Sequence, residues 1–222
     1  MTDTSTPLKV NARALATRES ILAAAERLFA ERGVEAVSNR QISEAAGQGN
    51  NTAVGYHFGT KTDLVRALVR EHQSGVEEIR RAMLEDLGAG ADLRDWVTCM
   101  VKPFTDHLGA LGVPGWYARC VAQIVAHPLL RDVMIEDALT APELHATAAG
   151  ITRMLPDLPP AVRASRFDMV RTLVLHTCAE QERALASGAE AGTWDDTASA
   201  IVDAIVGLLR APVSGPDAGL DR

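Results

Sequence analysis

A run of amide and hydroxyl side chains lies in the first third of the sequence. The segment Gln48-Gly49-Asn50-Asn51-Thr52 carries three amides and one hydroxyl. Such groups can read the edges of base pairs, since an asparagine amide bonds bidentately to the N6 and N7 atoms of adenine. If the segment opens a helix that lies in the major groove of double-stranded DNA, these groups can read the bases there.

Positive charges flank this segment but do not lie within it. No Lys or Arg occurs between Arg40 and Lys61. Both are expected in the first turn of a helix, where free backbone N–H groups and the helix dipole also attract phosphate. We therefore expect Arg40 and Lys61 to grip the two strands. Tyr56 is expected to bond a phosphate, and His57 either does the same or orients the turn.

Three of these positions also have a purely structural interpretation. Asn50 can serve only as the N-cap of a short helix. Tyr56 can fill the core of the domain, as Phe58 is expected to do. Gly55 costs about 1 kcal/mol relative to Ala inside a helix, and it permits close approach either to the DNA backbone or to another helix.

Helix start and stop signals surround the segment. A first helix is predicted from Thr17 to its end at Gly33. Ser38 with Gln41 forms a capping box that opens a second helix, which stops at Gly47.

Two further helices follow the turn. Asn50 can open a third, short helix, and Thr60 with Asp63 opens a fourth. Two short helices joined by a glycine turn and braced by a longer one form a helix-turn-helix unit. An ordinary αα-hairpin within a helical bundle is the alternative.

The composition predicts an all-α chain. Its 222 residues are 47% hydrophobic but only 4% aromatic, and alternating strand patterns are absent. Beyond the fourth helix, further helices are predicted over about 74–88, 92–110, 115–127, 129–140, 143–155, 160–187 and 194–210. We expect a flexible arm over 1–14, a DNA-binding domain over 15–72, a helical effector-binding and dimerisation domain over 73–212, and a disordered tail over 213–222.

The net charge of -7 is unevenly distributed. Residues 1–75 contain nine Lys and Arg against eight Asp and Glu, which gives +1, and the remaining residues contain thirteen against twenty-one, which gives -8. Such an asymmetry directs the N-terminal part toward a polyanion, although many soluble domains have some charge asymmetry.

The N-terminal motifs resemble a known family. The stretch "ILAAAERLFAERGVEAVSNRQISEAAG", followed by "YHFGTKTDL", is similar to the N-terminal domain of the tetracycline-repressor (TetR) family of bacterial transcription regulators. The resemblance covers about residues 15–70. Between Gly47 and Phe58 the chain has one residue more than the usual family pattern, and Gly55 stands where an aromatic is common. The resemblance implies a ligand-responsive repressor with a variable helical domain behind the DNA-binding domain.

A short reading helix covers few base pairs, so specificity calls for a homodimer on a palindromic operator. The family resemblance and the apolar stripes of the last two helices place the interface there, with both stripes facing the subunit's own core as the alternative. The expected interface residues are Met169, Val170, Leu173, Val174, Thr177, Trp194, Ile201, Val202, Ile205 and Leu209.

The middle helices suit a pocket for a small apolar organic effector. Aromatic, Met and a few polar side chains occur together there, although each of them can equally be part of an ordinary core. The expected lining residues are Trp96, Met100, Phe104, Trp116, Tyr117, Arg119, His127 and Phe167. Ligand binding would favour a form of the dimer in which the spacing of the two DNA-binding domains does not match successive major grooves.

Other classes of function have less support. An enzyme is not expected, because no G-x-S-x-G, phosphate loop or H-E-x-x-H occurs. His176 and Cys178 lie on different faces of a helix, so we expect no metal, cofactor or catalytic residue there. A helical protein-interaction adaptor is the other alternative. Three dispersed cysteines, no signal peptide and no membrane-spanning run predict a cytoplasmic protein.

Overall fold

The computed structural model describes residues 6–50, 52–138, 140–155 and 158–213, and within them it contains ten α-helices and no β-strand. These are α1 (Thr6–Arg32), α2 (Asn39–Ala45), α3 (Ala53–Phe58), α4 (Lys61–Glu85), α5 (Leu93–Leu111), α6 (Tyr117–Ala126), α7 (Pro128–Ala138), α8 (Pro142–Met154), α9 (Pro160–Ala186) and α10 (Trp194–Arg210). The predicted all-α fold is confirmed. Among the described residues, no helix is long and apolar enough to cross a membrane.

The first helix begins eleven residues before the predicted start. It starts at Thr6 instead of Thr17, so residues 6–14, which were assigned to the arm, are helical. Pro7 is compatible with a first helical turn, because the N–H that it lacks would have no intrahelical partner there. The alanines that follow are strong helix formers. Residues 1–5 lie outside the described part of the chain.

Reciprocal capping confirms the predicted starts of the second and the fourth helix. Ser38 donates its N–H to Gln41 Oε1 (2.8 Å), and the Gln41 N–H donates to Ser38 Oγ (3.3 Å). Thr60 and Asp63 form the same pair of bonds at the start of α4, at 3.2 and 3.1 Å. These bonds satisfy backbone donors that the helix itself leaves free, so they fix where α2 and α4 begin.

The helices α1, α2, α3 and the first half of α4 form a compact unit, which we call the head. Its core consists of Ile21, Leu22, Leu28, Phe29, Val37, Ile42, Val54, Phe58, Leu64 and Leu68, all of them buried. Val37 and Ile42, which flank the capping box of α2 at the positions of a hydrophobic staple, are both fully buried, so they orient the entry to α2. We call the remaining helices the body.

The helix α4 connects head and body without a break. It crosses the predicted domain boundary between residues 72 and 73, and the helix predicted over 74–88 is its second half. On its head half, Arg66 and Arg70 both pair with Asp137 of α7, at 3.2 and 3.0 Å. The division into 15–72 and 73–212 stays a prediction, and all of the predicted tail except Val213 lies outside the described residues.

The body is built around α5, which packs against α4, α8 and α10. A close contact between α5 and α8 depends on a glycine. A Cβ atom on Gly150 would lie 2.2 Å from the ring of Trp96. The body also contacts the head through α6, which packs along α1.

The expected dimer interface requires correction. Six of its ten residues are buried within their own subunit: Val170, Val174, Ile201, Val202, Ile205 and Leu209. The apolar stripe of α10 faces α5 and α9, so it belongs to the core of the subunit. Met169 is 51% exposed, and Leu173, Thr177 and Trp194 are partly exposed. Trp194 packs on Gly109 of α5.

Candidate nucleic-acid interface

The short helix α3 has one buried and one exposed face. Val54 and Phe58 belong to the core of the head, which confirms the core interpretation of Phe58. Tyr56 is 85% exposed, so it does not fill the core. A Cβ atom on Gly55 would meet no atom within 4 Å, so Gly55 serves no close helix packing among the described residues. The exposed face of α3 therefore carries the phenol of Tyr56 next to Gly55, where no side chain covers the backbone.

The turn before α3 is held by its own polar side chains. Asn50 Oδ1 accepts hydrogen bonds from the N–H of Thr52 (2.9 Å) and from its hydroxyl (2.7 Å). The N-cap of α3 is Thr52 and not Asn50, so the cap interpretation of Asn50 is wrong; Asn50 instead holds the turn that leads into α3. Both side chains are exposed, and among the described residues the amide nitrogen of Asn50 donates no hydrogen bond.

The other residues of the expected reading segment occupy different environments. Gln48 is half-buried, and its Nε2 donates to the carbonyl of Ala46 (3.1 Å) at the end of α2. It follows Gly47, which takes a φ of 68° that favours glycine. Gly49 is exposed. Asn51 lies outside the described residues.

Arg40 lies on the surface at the start of α2. Its side chain is 72% exposed, and Nε donates to Glu44 Oε1 (2.8 Å) one helical turn later. An exposed pair of this kind is weak and is easily exchanged for another anion. The position is compatible with the predicted phosphate contact.

Lys61 faces inward, contrary to the expectation of a free cation. Its Nζ donates to the carbonyl oxygens of Val34 (3.0 Å) and Val37 (2.6 Å) in the loop between α1 and α2. Two of its three donors are thereby engaged. Lys61 joins the start of α4 to this loop, and its predicted phosphate contact would fall to the remaining donor.

Arg18 was not found by sequence reasoning. Its Nη1 donates to the carbonyl of His57 (3.0 Å), and its guanidinium lies 4.2 Å from the centre of the Phe58 ring. These contacts fix the C-terminal end of α3 against α1. The His57 ring is half-buried and lies edge-on to Tyr56, with 5.1 Å between ring centres. No sequence signal connects Arg18 to residues 39 positions later.

The body contains a cavity of about 370 Å³ that is lined mainly by apolar side chains. Four of the eight expected effector residues line it, namely Met100, Phe104, Tyr117 and Phe167. The other four, Trp96, Trp116, Arg119 and His127, do not. Residues of α4, α7, α8 and α9 complete the lining, among them Val76, Arg80, Met134, Leu144 and Val174.

The four residues outside the cavity hold helices together. Trp96 packs on α8. Trp116 lies under the Arg119 guanidinium (4.4 Å), which pairs with the buried Glu182 at 3.1 Å. Glu182 also accepts hydrogen bonds from the backbone N–H groups that open α6. His127 Nε2 lies 2.6 Å from Glu35 in the loop between α1 and α2, so it links body and head.

A group of titratable side chains lies where head and body meet. His72 of α4 lies between Glu26 of α1 and His107 of α5, and its ring stacks on Tyr117 with 3.7 Å between centres. Burial, reinforced by the charge of His72, lowers the pKa of His107. Burial raises the pKa of Tyr117 well above its usual range, so this phenol stays protonated.

The cysteines have no features of a nucleophile. Cys99, Cys120 and Cys178 are buried free thiols. Burial raises the pKa of all three, that of Cys178 to about 12, so each is a neutral thiol near neutral pH. His176, two residues from Cys178, is exposed. Within the described part of the chain, no three His, Cys, Asp or Glu side chains are grouped to bind a metal.

Comparisons with known proteins agree with the geometry of the head. Residues 21–68 match the model of the family described as bacterial regulatory proteins, tetR family. The chain is 36% identical over 95 residues to the HTH-type transcriptional repressors AcnR of Corynebacterium glutamicum and Corynebacterium efficiens. Each match covers 39% of this chain, and the chain spans about half the length (48%) of these relatives.

Solved structures share the whole fold. The TetR-family transcriptional regulator PfmR from Thermus thermophilus matches with a TM-score of 0.54 and 18% identity, over 88% of this chain and 96% of PfmR. NalD, the secondary repressor of the MexAB-OprM multidrug efflux pump in Pseudomonas aeruginosa, matches with a TM-score of 0.55 and 18% identity, over 91% and 97%. At this identity the likeness concerns the fold alone.

Proposed function

We propose that this chain is a cytoplasmic transcriptional repressor of the tetR family of bacterial regulatory proteins, whose model residues 21–68 match. It binds double-stranded DNA through the head and responds to a small organic effector in the body. The AcnR relatives, which are repressors by name, support this proposal over the region that they share with the chain.

The outer face of α3 is the observation that carries the proposal. Tyr56 is an exposed aromatic beside Gly55, on a helix too short to be a good packing element. A phenol at the edge of a groove can donate a hydrogen bond to a phosphate. A glycine has no side chain, so the DNA backbone can approach the helix closely at that position. Asn50 and Thr52 are exposed at the leading end of the same helix, where their polar groups can reach base edges.

The cations of the head are placed at its edges. Arg40 is free to exchange Glu44 for a phosphate. Arg18 and Lys61 instead brace the ends of α3 and α4, so they position the reading helix. Preorganisation of this kind lowers the conformational entropy lost on binding.

The homodimer is proposed to form through the faces of α9 and α10 that the subunit leaves exposed. On α9, Met169 and Leu173 lie on this face. On α10, the exposed small residues Ala200, Ala204 and Gly207 recur at helical spacing and permit close approach of a second copy. Ala204→Glu should convert the dimer to a monomer in sedimentation at micromolar concentration, whereas Asp203→Glu should not.

The effector would act by population shift. Its cavity is bordered by α4, and the N-terminal end of α4 directly follows the reading helix α3. A ligand that binds better to a form of the dimer with altered spacing between the heads increases the population of that form. The affinity of the dimer for DNA then falls, because its two heads no longer fit two successive major grooves.

The test is selection of bound fragments from random and genomic DNA by the purified full chain, with salt titration of the selected site. We expect a palindrome whose half-sites are separated by about one helical turn or slightly more. Tyr56→Ala should weaken binding to the selected site and to random DNA alike, because it removes a phosphate contact, whereas Lys102→Ala, in the body, should leave both unchanged. Binding without sequence preference would contradict the proposal.

A further inference from the structure

The charges that line the body cavity cancel one another. Four ionisable Asp, Glu or Arg side chains border it: Glu77, Arg80, Asp168 and Arg171. Arg80 Nε lies 3.2 and 3.1 Å from the two carboxylate oxygens of Glu77. Arg171 Nη2 lies 2.9 Å from Asp168 Oδ1. An ionic ligand would therefore bring an uncompensated charge into an apolar interior, which is strongly unfavourable.

Arg80 nevertheless leaves hydrogen-bond donors unused. The residue is 4% exposed, and its Nη1 donates to the carbonyl oxygens of Cys99 (2.6 Å) and Met100 (3.2 Å). With Nε on Glu77, the two N–H groups of Nη2 have no acceptor among the described residues. Because Arg80 borders this cavity, Nη2 is the donor of Arg80 that a ligand there can use.

We propose that the effector is an uncharged, mainly apolar molecule with a carbonyl oxygen, such as a ketone, ester or lactone, which accepts a hydrogen bond from Arg80 Nη2. This inference rests on the proposed function, since it specifies the ligand of the same regulator. The apolar lining holds the carbon skeleton, and the carbonyl satisfies the buried donor.

The alternatives differ in charge or in hydrogen bonding. A carboxylate would satisfy Nη2 but would add a second anion beside Glu77. An ammonium would place another donor beside Arg80. A hydrocarbon would fill the cavity but leave the guanidinium donors without a partner, so it would forgo a charge-assisted hydrogen bond.

The experiment compares three probes with one skeleton, by isothermal titration calorimetry of the full chain at neutral pH. They are 2-acetylnaphthalene, 2-ethylnaphthalene and 2-naphthoate. We expect the ketone to bind about tenfold or more tighter than the other two. Tightest binding of 2-naphthoate, equal binding of 2-ethylnaphthalene, or no binding of any probe would each overturn the inference.

A pair of substitutions tests the role of Arg80. Arg80→Met with Glu77→Gln removes both partners, which avoids an unpaired buried charge. This variant should bind the ketone no tighter than 2-ethylnaphthalene. Unchanged preference for the ketone would overturn the assignment to Arg80. If the variant fails to fold, the probe series on the natural chain decides.

The matched control removes an ion pair outside the cavity. Arg81→Met with Glu143→Gln deletes the exposed contact between α4 and α8, which is 2.7 Å long. This variant should keep the preference for the ketone. Loss of that preference here would also overturn the assignment of the hydrogen bond to Arg80. Operator selection is measured separately. Loss of DNA selectivity with retained ketone preference would refute the proposed function, and the reverse result would refute only the effector class.

Discussion

His72 Nδ1 lies 2.9 Å from His107 Nε2, where α4 of the head meets α5 of the body. On the other side of the ring, His72 Nε2 lies 2.8 Å from Glu26 of α1. The two facing nitrogens form a hydrogen bond only if one of them lacks a hydrogen. Because both nitrogens of an imidazolium are donors, the pair loses this bond when both histidines are protonated.

Acidification should therefore weaken the fold at this contact. The folded-state pKa of His107 is lowered by burial and by the charge of His72, so the unfolded chain binds more protons as pH falls through the ordinary histidine range. The free energy of unfolding should rise with pH across that range and decrease below it. Urea unfolding at pH 7.5 and pH 5.5 measures this, and His107→Asn should reduce the difference. An identical pH dependence in both proteins would contradict the prediction.

Gly150→Ala should destabilise the body. The new methyl group would lie 2.2 Å from the Trp96 ring, so α5 and α8 must separate. Such overpacking costs about 1–3 kcal/mol. Urea unfolding of the variant measures the loss, and Ala146→Ser, on the exposed side of the same helix, is a control that should cost at most about 0.7 kcal/mol. If Gly150→Ala is as stable as the natural chain, the contact is not as tight as described.

Gly55→Ala should raise the free energy of unfolding but should weaken DNA binding. The added methyl group meets no atom of the described chain, and Ala favours the helix by up to about 1 kcal/mol. If the DNA backbone approaches α3 at this point, operator affinity falls while the free energy of unfolding rises. Unchanged affinity would move the proposed contact to another part of the helix.

Lys61→Met should lower the free energy of unfolding. It removes two hydrogen bonds from an ammonium to loop carbonyls, and the loss of such bonds costs about 1–3 kcal/mol. Thermal unfolding of the natural chain and the variant compares them. A variant of unchanged stability would show that these bonds contribute nothing net.

Arg40→Ala should leave stability nearly unchanged, because its exposed pair with Glu44 contributes about 0–1 kcal/mol. It should weaken binding to operator and random DNA alike and reduce the salt slope by about one unit. A loss confined to the operator would instead make Arg40 a base-reading residue.

Local signals made the head predictable. Ser38, Thr60 and the glycine turns act within a few residues, so their effect can be read from sequence. Lys61 and Arg18 reach carbonyls 24 to 39 positions away, and no local pattern encodes that distance. Their structural roles therefore emerged only from the fold.

The packing of the body is encoded less locally, because an apolar stripe predicts burial without indicating which helix covers it. Ile201 and Ile205 were expected to face a second subunit, but α5 and α9 of the same chain cover α10. The same ambiguity applies to the expected lining of the cavity: Phe104 lines it, whereas Trp96 of the same helix does not.

The unbroken course of α4 gives the molecule a lever. Its 25 residues correspond to about 37 Å, so a tilt of about 5° about one end displaces the other by roughly 3 Å. In the proposed dimer α4 of each subunit would tilt in this way. The two reading helices would then no longer match the spacing of the grooves, while each head stays folded. Release of DNA then requires no melting, only a small change of angle beside the cavity.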